Sequence, residues 1–222
     1  MRKILCFLIV SMSLSFSSDF KKEVLEHAKY LDGVFNIDKN IILAYIKTES
    51  DYNPYAMLIK SKDIVFLDSV LKDFGFKTKK TKNFISVYPK DKESAELLYY
   101  LVSYNKKILQ ITNYDFGIMQ LNTNTIKAYN LDEKMLYLDF KKNMIVGADI
   151  MRGCYHIVGK EGNMQNIIEC YNKGTDMKKL ASSNKDYYVN FIKNYKTTIK
   201  GTKQWNLKEK RFYFLQLFLQ VQ

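Results

Sequence analysis

The chain has 222 residues, a length that suits one sizeable domain with its own hydrophobic core. No internal repeat or low-complexity segment stands out, so the sequence does not indicate a repeat or low-complexity protein. Its 35 Lys and Arg residues exceed its 23 Asp and Glu residues, and the net charge of +12 predicts attraction to an anionic polymer without identifying that polymer.

The first 17 residues have the three-part plan of a secretory signal peptide. Two basic residues follow the initial Met, residues 4–14 are almost wholly apolar, and Ser15 and Ser17 offer small residues before a cleavage site. The apolar stretch is too short for a permanent membrane anchor. We therefore predict export to the periplasm, where no nucleic acid partner is expected. A buried N-terminal helix is the alternative.

Apolar residues at helical spacing predict two helices before Pro54. The first covers residues 19–31 and ends at Gly33. The second begins at an Asp38 cap and carries Glu49 near its end.

Residues 57–112 have a different pattern, which predicts a small α+β insertion in an otherwise helical domain of residues 18–200. Its elements are a short helix around residues 64–71, strands at residues 74–78 and 84–88, and a helix at residues 93–104. A Lys-rich turn joins the two strands. It is predicted to contact the anionic polymer or a partner, with a solvated basic turn as the alternative.

Four further helices are predicted, at residues 122–130, 143–158, 162–171 and 187–195. The tail, residues 201–222, contains an apolar and aromatic run at residues 212–221. Leucines alternate in this run, which favours a strand over a helix. We predict that it packs onto the inserted strands, with a partner-docking segment as the alternative.

Two cysteines remain after removal of the signal peptide. Cys154 and Cys170 are equidistant from Gly162, in the turn between two antiparallel helices, so they should lie at one height. An exported protein permits a disulfide between them, and two free core cysteines are the alternative. His27 and His156 form no ligand cluster with these cysteines, and we expect no metal and no cofactor.

Glu49 lies on the apolar face of its helix, with Ile42, Tyr45 and Ile46. A carboxyl held there has a raised pKa and can donate a proton near neutral pH, which cleavage of a glycosidic bond requires. From periodicity alone, a salt-bridged glutamate at a helix end is the favoured explanation.

The residues around Glu49 resemble a family motif, and further blocks follow in that family's order. The blocks are residues 42–50 with 53–56, residues 115–122, Asn143 with residues 147–151, residues 171–174, and Tyr188 with Val189. Together they resemble the soluble lytic transglycosylases, and most closely the specialised members that accompany secretion, conjugation and pilus systems.

The resemblance implies a mainly α, lysozyme-like fold and a peptidoglycan substrate. Glu49 would be the sole acid/base that cleaves the β-1,4 bond between N-acetylmuramic acid and N-acetylglucosamine, forming a 1,6-anhydro sugar. A muramidase-type hydrolase, with Asp51 or Asp115 as second carboxylate, is the enzymatic alternative. A non-catalytic wall-binding or assembly protein is the other.

The resemblance also implies roles near Glu49. Ser50 would orient the substrate or the Glu49 carboxyl, and Tyr188 would hydrogen-bond near Glu49. Plain packing is the alternative for Tyr188.

The remaining family positions would contact the sugar. Gly117 would let the backbone approach it closely, while Met119 and Gln120 would line the cleft. Tyr171 and Asn172 would contact the N-acetyl sugar. Core filling is the alternative for Met119, and a turn position is the alternative for Asn172.

Overall fold

The structure, a computed structural model, describes residues 2–159, 163–176, 178, 180 and 185–201, with side chains from residue 19 onward. The apolar run at residues 212–221 lies outside these limits, and at the predicted signal-peptide cleavage site only the backbone is described. Within the part of the chain that is described, no helix is long and apolar enough to cross a membrane.

The fold is mainly α-helical, as the sequence predicts. The helices are α1 (Arg2–Phe35), α2 (Lys39–Glu49), α3 (Ile64–Asp73), α4 (Lys92–Tyr104), α5 (Thr123–Ala128), α6 (Glu133–Leu138), α7 (Phe140–Val158), α8 (Met164–Lys173) and α9 (Asp186–Gly201). The predicted Asp38 cap of α2 is confirmed, because its side chain accepts the Asn40 N–H at 2.6 Å. Gly33 lies inside α1 rather than ending it, and the chain leaves the helix at Asn36, which has a φ of 55°.

Helix α2 lies in the centre of the helical part. Its residues from Ile42 to Ile46 are buried without interruption, and α1 and α9 pack against it. Five consecutive buried residues give this part of the helix a fixed position in the core. Glu49, its last residue, is therefore held by the core itself.

A five-stranded antiparallel sheet lies beside the helices. Its strands are β1 (Met57–Ser61), β2 (Thr78–Lys80), β3 (Ile85–Val87), β4 (Ile111–Phe116) and β5 (Leu121–Asn122), in the order β2-β3-β1-β4-β5. Met57 pairs with Val87 on one side and with Phe116 on the other. The inserted hairpin thus extends the sheet that carries the glycine motif.

Strand β2, the first strand of the predicted hairpin, begins later than the sequence predicts. Phe74 caps α3, and Gly75, with a φ of 81°, turns the chain, so the strand starts at Thr78. The turn uses the left-handed conformation that glycine adopts without a steric penalty. The pattern of apolar residues alone assigned this turn to the strand.

A disulfide links α7 to α8. It joins Cys154 and Cys170, whose Cα atoms are 5.8 Å apart. Val158 and Leu180 complete a small buried cluster around it. The disulfide holds α8, the helix that carries Tyr171 and Asn172, against α7.

Candidate active site

Glu49 borders a surface depression of about 380 Å³. The other lining residues are Lys47, Thr48, Ser50, Asp51, Asn53 and Tyr88. All but one come from the end of α2 and the turn that follows it. Tyr88, which follows β3, comes from the insertion, and its side chain is 48% exposed. The depression therefore brings the predicted acid and the insertion together.

The surroundings of Glu49 favour its neutral form. Burial raises the pKa of the Glu49 carboxyl from 4.5 to about 8; a hydrogen bond from Tyr187 lowers it, and the nearby charge of Asp115 raises it. Removal from water disfavours a charged carboxylate, and here that effect exceeds the others. The shift has the direction predicted from the apolar helix face. The carboxyl is thus mostly protonated at neutral pH.

Tyr187, and not Tyr188, contacts the Glu49 carboxyl. The Tyr187 phenol donates a hydrogen bond to Glu49 Oε1. Burial raises the pKa of Tyr187 well above 10, so this phenol stays a donor. The Tyr188 backbone N–H instead donates to Glu169 Oε1 at 2.9 Å. The sequence-based assignment of Tyr188 was wrong by one residue, because a Tyr-Tyr doublet does not show which ring faces α2.

Three phenols, those of Tyr45, Tyr171 and Tyr187, lie close enough to Glu49 for its charge to raise their pKa values. The ring of Tyr45 lies 4.9 Å from that of Tyr171, 6.5 Å from that of Tyr187 and 4.7 Å from that of Phe191, measured between centroids. The Tyr171 hydroxyl donates to the Met119 carbonyl at 2.8 Å. Tyr171 therefore links α8 to the glycine turn, and its ring contributes to the low-polarity surroundings of Glu49.

Ser50 and Gln120 hold backbone rather than the Glu49 carboxyl. The Ser50 hydroxyl is buried and donates to the Ile118 carbonyl at 2.8 Å. The Gln120 amide donates to the carbonyls of Ala56 at 2.9 Å and Gly117 at 2.8 Å. The predicted direct contact between Ser50 and Glu49 is absent from the hydrogen bonds of the described residues. Both side chains instead fix the glycine turn next to the end of α2.

Gly117 and Met119 face the core, contrary to the sequence-based expectation. Gly117 has a φ of 80°, and an added Cβ would lie 2.2 Å from Asn143 Nδ2. Asn143 is fully buried and accepts the Met119 N–H at 2.9 Å. Met119 is fully buried and packs against Gly147. Packing against the helix that carries Asn143 explains both residues, so neither close approach of a sugar nor a cleft lining is needed.

The two candidate second acids differ in their surroundings. Asp51 lines the depression, has an exposed side chain and forms an ion pair with Lys47. Asp115 lies in β4, accepts a hydrogen bond from Asn122 and has a pKa raised by burial. Of the two, only Asp115 perturbs the pKa of Glu49.

Asn172 and Glu169, both on α8, differ in their exposure to solvent. Asn172 is exposed, as a substrate contact must be. Glu169 is fully buried, and its Oε2 lies 3.3 Å from Lys173 Nζ. Sequence reasoning missed Glu169. Its position next to Cys170, a predicted disulfide or core cysteine, was an available signal. A glutamate that is buried usually has a charged or hydrogen-bonding partner.

Residues 28–190 match the profile of the Transglycosylase SLT domain. Because this match covers most of the chain, the protein belongs to the SLT transglycosylase family, whose fold is lysozyme-like and whose members act on peptidoglycan. Comparison with curated proteins and with solved structures finds no match.

Proposed function

We propose that the protein is a lytic transglycosylase that cleaves the β-1,4 bond between N-acetylmuramic acid and N-acetylglucosamine, with Glu49 as the acid/base. The observation that carries the proposal is the Glu49 carboxyl at the edge of an open depression, hydrogen-bonded by Tyr187, in surroundings whose burial raises its pKa to about 8. Cleavage of a glycosidic bond requires a proton donor that is still protonated near neutral pH. The family supplies the substrate class.

The chemistry follows from one carboxyl that acts twice. Protonated Glu49 donates to the leaving sugar oxygen, and the N-acetyl group of the muramic acid helps to carry the positive charge. Ionised Glu49 then takes the proton of that sugar's 6-hydroxyl, which closes the 1,6-anhydro ring without water. The Tyr187 phenol on Oε1 leaves Oε2 to carry the proton and stabilises the carboxylate after the proton has left.

The sugar contacts that we propose follow the exposed surfaces. Tyr88 offers a half-exposed ring at the depression, and Asn172 offers an exposed amide on α8. Asn53 adds a polar group to the lining. The polar groups of Gln120 and Tyr171 are hydrogen-bonded to backbone. We therefore propose that these two residues shape the cleft and do not bind the sugar directly.

The test is digestion of purified sacculi, with mass measurement of the soluble sugars. Wild-type protein should release sugars that end in anhydro-muramic acid, lighter by one water than hydrolysis products. Glu49→Gln should release almost none. An active Glu49→Gln variant would contradict the assignment and would favour a non-catalytic wall-binding protein in which the released sugars come from a contaminant.

A muramidase-type hydrolase is the second candidate, because Asp115 acts on the pKa of Glu49. In a hydrolase a second carboxylate either activates the attacking water or attacks the sugar itself as the nucleophile. Asp115→Asn should keep anhydro-sugar formation if Glu49 acts alone. Products with ordinary reducing ends, lost in Asp115→Asn, would establish hydrolysis instead.

We also propose that the protein is exported and acts in the periplasm, where its net charge of +12 favours contact with the anionic wall. Cell fractionation with a C-terminal tag tests this placement, together with the N-terminal sequence of the mature protein. A cytoplasmic, unprocessed protein would contradict it. Service to a secretion, conjugation or pilus apparatus remains a prediction from the resemblance.

A further inference from the structure

Glu169 is a buried acid that the proposed reaction does not use. Its side chain is fully covered on α8. An ionised carboxylate in a protein core is strongly disfavoured unless hydrogen bonds and a cation compensate for the lost water. Here the Tyr188 backbone N–H lies 2.9 Å from Oε1, and Lys173 Nζ lies 3.3 Å from Oε2.

The N–H that Glu169 accepts belongs to the first turn of α9. Helix α9 begins at Asp186, and the Val189 N–H donates the first bond of the helical ladder, to the carbonyl of Lys185 just before the helix. Tyr188 therefore presents one of the N–H groups that a helix start leaves without an intrahelical partner. A carboxylate at this end also interacts favourably with the helix dipole. Glu169 thus acts as a cap supplied by another helix.

The capped residue is the immediate neighbour of Tyr187, whose phenol donates to Glu49 Oε1. The support behind Glu169 is rigid. Cys170 is bonded to Cys154 on α7, and the Tyr171 hydroxyl is bonded to the Met119 carbonyl of the glycine turn. Helix α8 therefore holds the first turn of α9, in addition to the packing of α9 against α2.

We propose that Glu169 is a positioning residue: by holding the Tyr188 N–H, it places the Tyr187 phenol on the acid/base Glu49. The effect on rate rests on the proposed function of Glu49, whereas the effect on the placement of Tyr187 does not. Tyr187 is the residue that touches the reacting carboxyl, and Glu169 acts through it.

The experiment follows the titration of the Glu49 side-chain carboxyl by carbon NMR, which needs no enzymatic activity. The groups that face this carboxyl are Tyr187 and Asp115, together with the phenols of Tyr45 and Tyr171. Tyr187→Phe should raise the pKa of Glu49, because a bond to the charged form is lost. Glu169→Ala should raise it in the same direction, and the double variant should add nothing further.

Three variants keep this test decisive. Glu169→Gln retains an oxygen acceptor and should restore the wild-type pKa of Glu49. Glu169→Asp keeps the charge but withdraws the oxygen, so it should act like Glu169→Ala and replaces it if the alanine variant does not fold. Asp68→Asn removes a covered acid on α3, which packs against β1 and β2, and should leave the pKa of Glu49 unchanged.

A merely structural cap gives a different result. Glu169→Ala or Glu169→Asp would then lower the free energy of unfolding but leave the pKa of Glu49 at the wild-type value, which would overturn the proposal. In assays on sacculi, kcat should fall about tenfold to a hundredfold at unchanged KM in both Glu169→Ala and Tyr187→Phe. If wild-type protein releases no sugar at all, the proposed function fails, and the NMR titration still decides the role of Glu169.

Discussion

Glu49 and Asp68 are two largely covered acids, one at the depression and one in the insertion, and they differ in what surrounds them. Around Glu49 lie the phenol of Tyr187 and aromatic rings of α2, α8 and α9. Asp68, in α3, lies 2.8 Å from Lys72 Nζ and 3.1 Å from Lys80 Nζ. These lysines are partly exposed, and their long side chains bring a positive charge to the buried carboxylate of Asp68.

The pKa values of the two acids move in opposite directions for this reason. Burial raises the pKa of Glu49 to about 8. Hydrogen bonds from Lys72 and Thr78 hold the pKa of Asp68 well below its usual range. Lys47 lines the depression but forms an ion pair with Asp51. Burial alone therefore does not turn a carboxylic acid into a proton donor. Nearby lysines keep a buried acid ionised, and their absence around the carboxyl allows it to stay protonated.

The largest expected effect is the loss of catalysis when the acid at the depression is removed. Glu49→Gln should lower the rate of sugar release from sacculi by about 10²- to 10⁴-fold, the usual contribution of a general acid/base. Asp68→Asn should change that rate by no more than a few-fold, because its carboxylate lies in the insertion and, among the described residues, contacts Lys72, Lys80 and Thr78. Equal losses in the two variants would mean that both act through folding.

The next effect concerns the pH dependence of kcat. The protonated form of Glu49 starts the reaction, so activity should fall as pH rises through about 8. The Tyr187 hydrogen bond lowers the pKa of Glu49, and its removal in Tyr187→Phe should move this fall to higher pH. Asp68→Asn should leave the fall in place. A wild-type rate that declines only below pH 6 would contradict the assignment of Glu49 as the proton donor.

The parts that the sequence predicted well depend on local pattern. Helix α2, its Asp38 cap and the position of Glu49 on an apolar face all follow from spacing within a dozen residues. The glycine motif was also found from its own residues, in family order. Such features need no knowledge of distant contacts, so spacing and motif were enough.

The parts that the sequence did not predict depend on tertiary contacts. Helix register against α2 selects Tyr187 over Tyr188. A side chain at Gly117 is excluded by the packed side chain of Asn143, whereas the sequence-based expectation attributed the glycine to close approach of a sugar. Strand β1 was missed because it is stabilised by pairing with β3 and β4, which lie far from it in sequence.

The two acids should also give the free energy of unfolding opposite dependences on pH. The folded pKa of Glu49 lies above its unfolded value near 4.5, so the folded state loses stability as pH rises from about 4.5 to 8. The folded pKa of Asp68 is lowered, so its contribution is lost as pH falls below about 4.

Urea unfolding at several pH values measures this difference. Glu49→Gln should gain on the wild type across pH 5 to 8, by at most about 1.4 kcal/mol per pH unit. Asp68→Asn should be less stable than the wild type at pH 7, and the gap should close in acid. Parallel curves for all three proteins would show that the surroundings of the two acids do not differ in this way.

The smallest expected effect concerns the one residue of the insertion that reaches the depression. A half-exposed aromatic ring offers a flat apolar surface to a sugar, so Tyr88→Ala should raise KM about threefold to tenfold, equivalent to roughly 1 kcal/mol. Tyr88→Phe should keep the wild-type KM. Tyr104→Ala is the matched control, because Tyr104 is 78% exposed on α4 and does not line the depression.

The split between KM and kcat decides what the insertion contributes. Tyr88 makes no hydrogen bond with Glu49 among the described residues, so its loss should weaken binding of substrate and transition state alike and leave kcat unchanged. A fall in kcat at constant KM would instead mean that the insertion shapes the surroundings of Glu49. In that case the contrast between a catalytic region and a supporting one would no longer hold at Tyr88.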